Sequence, residues 1–225
     1  MPQSHNRWQR GAAEFVGTAL LLAVVVGSGI MGDRLSGGTI GLALLANSLA
    51  TGAGLLALIL AFGPISGAHF NPLVSAAAAS QGRLSSRDFA IYVVAQLAGA
   101  FLGTACAHVM FAEPVLAWST HARAGAPQAF SEALATFGLL TVIQGVGRQR
   151  GEMAPFAVGA YVTAAYWFTA STAFANPAVT MARMTTNTFT GIRPIDVPAF
   201  LAAQAVGAAV AVAFSRWISR PNTAR

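Results

Sequence analysis

Six apolar tracts, each about as long as a membrane core is thick, constrain this chain more than any other feature of its sequence. They lie near residues 11–30, 41–62, 89–111, 130–147, 155–173 and 197–218, separated by short stretches that carry arginine. A helix rises about 1.5 Å per residue, so roughly 20 apolar residues cross a hydrocarbon layer of about 30 Å. With 55% hydrophobic and only 9% charged residues, the chain has too few charges to cover a soluble surface. We expect an all-α membrane protein of one domain over residues 1–225, because six spans leave no room for a separate soluble unit.

The cations are 13 arginines and no lysine, against 7 acids, for a formal charge of +6. They are scattered between apolar blocks and build no continuous basic face, so nucleic acid is not an expected partner. The bilayer is. With both termini in the cytoplasm, the inner segments hold Arg7, Arg10, Arg83, Arg87, Arg148, Arg150, Arg216, Arg220 and Arg225, and the outer ones Arg34, Arg123, Arg183 and Arg193. Cytoplasmic loops carry the arginine excess, which places the chain in the cell's inner membrane as a multi-pass protein. The single Cys106 excludes a disulfide framework and reads as core packing. His5, His108 and His121 share no metal-ligand spacing, and neither a metal nor a cofactor is expected.

Two further apolar pieces, near 71–80 and 177–184, are too short to cross, and both begin with Asn-Pro. Around them the sequence repeats itself. Glu14 and Thr18 (AEFVGT), Asn71-Pro72 and Gln96 (AQLAGA) recur in the same order as Glu132 and Thr136 (SEALAT), Asn176-Pro177 and Gln204 (AQAVGA). The two units run approximately over 1–112 and 128–225. Each holds three spans, an odd number, so the copies lie inverted in the membrane and their short helices enter from opposite faces.

Asparagine at a helix cap followed by proline in the first turn is a good helix start. Two such starts at the midplane direct two positive dipole ends and two amide donors at one point. A hydroxylated solute can accept hydrogen bonds there, while a cation meets a positive field. The peptide groups just before each asparagine cannot be helical, so their carbonyls line a wet cavity or are buried in protein. Glu14 and Glu132, with Gln96 and Gln204, are placed symmetrically to satisfy that irregular backbone. The competing reading is a proton relay in a secondary transporter. No nucleophile or acid–base constellation suggests an enzyme.

GPISGAHFNPLVSAAA and ANPAVT resemble the two signature loops of the aquaporin and glycerol facilitator (major intrinsic protein) family, and the four helix motifs extend the likeness over nearly the whole chain. The resemblance implies six transmembrane helices plus two re-entrant half-helices, passive conduction and a homotetramer with one pore per subunit. It implies signature motifs at Asn71, Pro72, Leu73 and Asn176, Pro177, Ala178, where Leu73 replaces the usual Ala, and pore-lining loop residues Ala68, His69, Phe70, Phe174 and Ala175.

The family's outer constriction has four positions, one an arginine three residues after the second asparagine. Here that residue is Val179. Carried over by spacing, the other three are Thr51, Ala164 and Ala173. The register of Ala164 is open to a one-residue shift, which would bring a nearby tyrosine into the constriction. A set without aromatic, histidine or cation predicts a wide filter that passes small neutral solutes besides water, such as glycerol or urea; the resemblance to Arg-free members of the family adds arsenite as the neutral trihydroxide and methylated arsenicals. Arg183, one turn beyond Val179, is a candidate for the outer vestibule, since helical side chains lean toward the N-terminus. Its alternative role is an ordinary contact to headgroups or loop carbonyls.

Overall fold

The computed structural model describes residues 5–220. Arg225, counted among the inner arginines, lies outside them. All regular structure among the described residues is helical: α1 (Arg7–Leu35), α2 (Ile40–Ser66), α3 (Pro72–Ser80), α4 (Ser86–Phe111), α5 (Ala126–Gln149), α6 (Ala154–Phe168), α7 (Pro177–Arg183) and α8 (Val197–Ile218), with one-turn 3-10 segments at Gly151–Met153 and Pro194–Asp196. Six helices are long and two are short. Five of the long ones have the length and hydropathy to cross a membrane. The sixth, α6, has 15 residues and is extended at its start by the Gly151–Met153 turn.

The α6 boundary departs from the sequence reading, which ran the apolar tract to 173. Thr169 leaves the helix with extended backbone (φ −110°, ψ 140°), and Thr172 and Ala173 take positive φ. Thr169, Ser171 and Ala173 are nevertheless buried. The tract stays uncharged because protein surrounds it, so apolar length alone could not separate a span from a loop sunk into the membrane.

Packing follows the repeat. α1 packs on α2 and α4 as α5 packs on α6 and α8, while α3 and α7 each lie against α4, α8 and one another. The motif glycines permit close contacts: a Cβ on Gly99 would sit 2.3 Å from the Phe15 carbonyl oxygen, and one on Gly207 2.1 Å from that of Ala133. Small residues at such crossings let backbones approach where lipid supplies no hydrophobic drive. The two halves also meet through α2 and α6.

Leu45, Leu49, Val94, Leu102, Val206 and Val210 are exposed on the outside of the bundle, as a bilayer requires and water does not. Cys106 lies on this outward face of α4 rather than in the core. Its place between buried Gly103 and Ala107 left either face open to a reading from composition.

Candidate functional site: a pore between two half-helices

The site begins with two helix starts that face each other. Asn71 Oδ1 accepts from the Leu73 N–H at 2.9 Å, and Asn176 Oδ1 accepts from the Ala178 N–H at 3.0 Å and the Val179 N–H. With both oxygens held by the caps, each side-chain amide points away from its own helix. Asn71 Nδ2 donates to the Ala175 carbonyl and Asn176 Nδ2 to the Phe70 carbonyl, both at 2.8 Å. The half-helices are therefore stapled start to start. Their far ends diverge: the Ser80 carbonyl at the end of α3 accepts from Arg216, and Arg183 at the end of α7 donates to the Thr190 carbonyl. One N–H of each amide is committed to the staple, so one per asparagine remains for a solute.

Both approaches to the asparagines share one backbone shape. Gly67, Ala68 and Phe70 have φ of 89°, 49° and 49°, and Thr172, Ala173 and Ala175 have 61°, 48° and 47°. Left-handed conformations in alanine, phenylalanine and threonine cost roughly 1–3 kcal/mol each, so surrounding bonds must hold them. Glu14 does so on one side, accepting from the Ser66 hydroxyl (2.6 Å), the His69 N–H (2.9 Å), the Phe70 N–H (2.7 Å) and Gln96 Nε2 (2.8 Å). Glu132 does so on the other, accepting from the Phe174 and Ala175 N–H groups (2.9 Å each) and Gln204 Nε2 (2.6 Å). The glutamines reach on to Ser75 and Thr180 of the half-helices. Both carboxylates are fully buried and neither lines the cavity.

That cavity has a volume of about 420 Å³ and runs from Arg10, Arg83 and Gln144 past His69, Asn71 and Asn176 to Thr51 and Arg183. His69 is held by Ser75 Oγ at 3.0 Å and edge-on against Tyr92. Ala68, Phe70, Phe174 and Ala175 also line the wall, whereas Leu73 packs in an apolar cluster beside it. No Asp or Glu contributes to it among the described residues.

The expected filter set needs one correction. Thr51, Ala173 and Val179 line the cavity, but Ala164 is exposed on the outside of α6. The wall is formed by Ala154, Val158, Tyr161, Val162, Ala165 and Tyr166, a stripe at helical spacing from which Ala164 is missing. The Tyr166 hydroxyl lies 3.2 Å from that of Thr51. A tyrosine therefore stands at this level, as the open register allowed, because the spacing count was carried through the irregular stretch 169–175, which is not helical.

Arg183 is 2% exposed, so its guanidinium is covered by protein. Its guanidinium carbon lies 3.4 Å from the centre of the Phe174 ring, and Nε donates to the Thr190 carbonyl. Arg123, from the loop before α5, lies over the same ring at 5.0 Å and donates to the carbonyls of Gly191 and Ser171.

A family model described as major intrinsic protein matches residues 1–173. Over 97% of its length the chain is 53% identical to aquaglyceroporin AqpS of Rhizobium meliloti, covering 94% of that protein.

The chain belongs to the major intrinsic protein family.

It is also 37% identical to aquaporin NIP1-1 of Zea mays, over 49% of this chain and 41% of the maize protein. Among solved structures, the aquaglyceroporin from Plasmodium falciparum superposes with a TM-score of 0.77, covering 95% of this chain and 98% of the other at 24% identity, a likeness of fold. As a major intrinsic protein the chain is a membrane channel and not an enzyme.

Sequence reasoning left a tyrosine at the constriction of this major intrinsic protein as an open register, which the α6 stripe resolves to Tyr166. It missed two supports behind the pore wall, Arg123 and Tyr92, because they act across long sequence distances: Arg123 holds the Ser171 carbonyl, and the Tyr92 hydroxyl holds the Ser66 carbonyl at 2.7 Å while accepting from Arg10 Nε.

Proposed function

We propose that the chain lets small uncharged, hydroxylated solutes, glycerol foremost, move down their gradients across the inner membrane, with water passing by the same route. The observation that carries this reading is the cavity itself. It runs past two asparagine amides, each with a donor to spare, and no carboxylate lines it among the described residues. A relative named an aquaglyceroporin at 53% identity supports glycerol as the first solute to test. Ala173 and Val179 give the outer part of the pore small side chains and no arginine at the usual position, while Tyr166 makes it narrower than a set built on Ala164. Urea, arsenite as the neutral trihydroxide and methylated arsenicals are further candidates.

Glu14 and Glu132 are spent on loop backbone and stand outside the cavity wall, which leaves a proton relay without a route. Four copies, each with its own pore and with both termini in the cytoplasm, complete the proposal.

Proteoliposome swelling tests it. Glycerol flux well above that of protein-free vesicles is expected, unchanged in end point by an imposed proton gradient. Absence of any solute or water flux would falsify the channel reading, and uphill accumulation driven by protons would replace it with a transporter. In Val179→Arg, the added side chain should suppress glycerol and urea more than water.

A further inference from the structure

The position that normally holds the constriction's arginine is occupied by Val179, yet a buried guanidinium lies at the same end of the cavity. Arg183 is placed there by α7, one turn beyond Val179, and its stem leans back toward the helix start. The Phe174 ring under it and the Thr190 carbonyl on Nε fix the plane of the group. A guanidinium has five N–H donors. Only Nε has an acceptor among the described residues, so the four N–H groups of the terminal nitrogens have none, and Arg183 lines the cavity. No acid pairs with it among the described residues. A cation this deep, with its donors unused and directed at the route, is not explained by loop support alone.

The same end of the cavity carries an unlike pair. Thr51 on α2 and Tyr166 on α6 share one hydrogen bond between their hydroxyls, which leaves one O–H and several lone pairs for a third group. We infer that Arg183 replaces the missing arginine as the specificity-determining cation, and that with the Thr51–Tyr166 hydroxyl pair it forms a binding site for a neutral polyhydroxyl solute. Hydroxyl oxygens of the solute accept from Arg183, and a hydroxyl hydrogen is donated to Thr51 or Tyr166. A solute with several hydroxyls uses both sides and recovers the hydration it sheds. Water uses one side at a time, and a cation is repelled. Arg123 contributes by holding the Ser171 carbonyl and packing over the Phe174 ring, and is a positioning residue.

The inference rests on the channel reading above, and the experiment separates the two. Glycerol and water permeabilities are measured in proteoliposomes for the wild type, Arg183→Met, Arg183→Lys and the double variant Thr51→Val with Tyr166→Phe. Methionine keeps much of the bulk of arginine, so widening is not the variable. Loss of charge-assisted hydrogen bonds predicts a glycerol-to-water ratio lowered about tenfold in Arg183→Met, partly restored in Arg183→Lys. The hydroxyl double variant should lower the ratio in the same direction without touching the arginine's supports. Potassium leak should rise in Arg183→Met and stay at background in the hydroxyl variant. A wild type that passes glycerol while all three variants keep its ratio within about twofold overturns the site and leaves the channel standing. If Arg183→Met yields no folded protein, the hydroxyl variant decides alone: an unchanged ratio overturns the proposal, and a lowered one upholds it.

Discussion

At the scale of single residues, the buried carboxylates do most to hold the pore's shape. Removing Glu132 would strand the Phe174 N–H, the Ala175 N–H and the Gln204 amide, each already out of water. An unsatisfied buried donor costs roughly 1–3 kcal/mol, so Glu132→Ala should lose several kcal/mol and much of its folded yield. Thermal unfolding in detergent checks this; a proton relay would instead leave a stable, inactive protein. Gly17 shows the same dependence by shape. A Cβ there would lie 2.0 Å from Cε1 of the Phe70 ring, which is 1% exposed. Gly17→Ala should push Phe70 and with it the carbonyl that Asn176 grips, lowering stability by about 1–3 kcal/mol and solute flux together. Both requirements sit in motifs visible in the sequence, AEFVGT and SEALAT, but only the structure says what each side chain touches.

At the scale of elements, α3 and α7 are too short to persist alone, and they hold through their starts. Each asparagine caps its own helix and donates to the other loop, so the two half-helices form one unit. Asn71→Ala and Asn176→Ala should each cost about 0.5–2 kcal/mol from the cap alone. Because each staple bond keeps the other loop in register, the pair should be non-additive by roughly 0.5–3 kcal/mol. A double-mutant cycle on thermal stability measures it, and simple additivity would refute the staple. The Asn-Pro pairs made these starts legible in advance. The end of α6 was not, because an apolar loop buried in protein has the same composition as the last turns of a span.

At the scale of the whole molecule, the seam between the halves is the crossing of α2 and α6. A Cβ on Gly52 would meet Thr163 Oγ1 at 1.9 Å and the Gly159 carbonyl oxygen at 2.9 Å. Gly52→Leu should therefore wedge the halves apart and abolish flux, while Gly41 and Gly63, with open space where a Cβ would go, should tolerate alanine. Measuring swelling rates for these variants distinguishes a tight seam from a loose one. The sequence by itself determined the membrane class, the duplicated unit and the two helix starts, since tract length, repeated motifs and cap chemistry are local and survive without coordinates. Only the tertiary structure decided which face of α6 meets the pore, that Tyr166 stands across from Thr51, and that Arg183 points inward over Phe174. Those depend on helix rotation and on the path of a non-helical loop, and a rotation of one residue turns a side chain by about 100° from cavity to lipid.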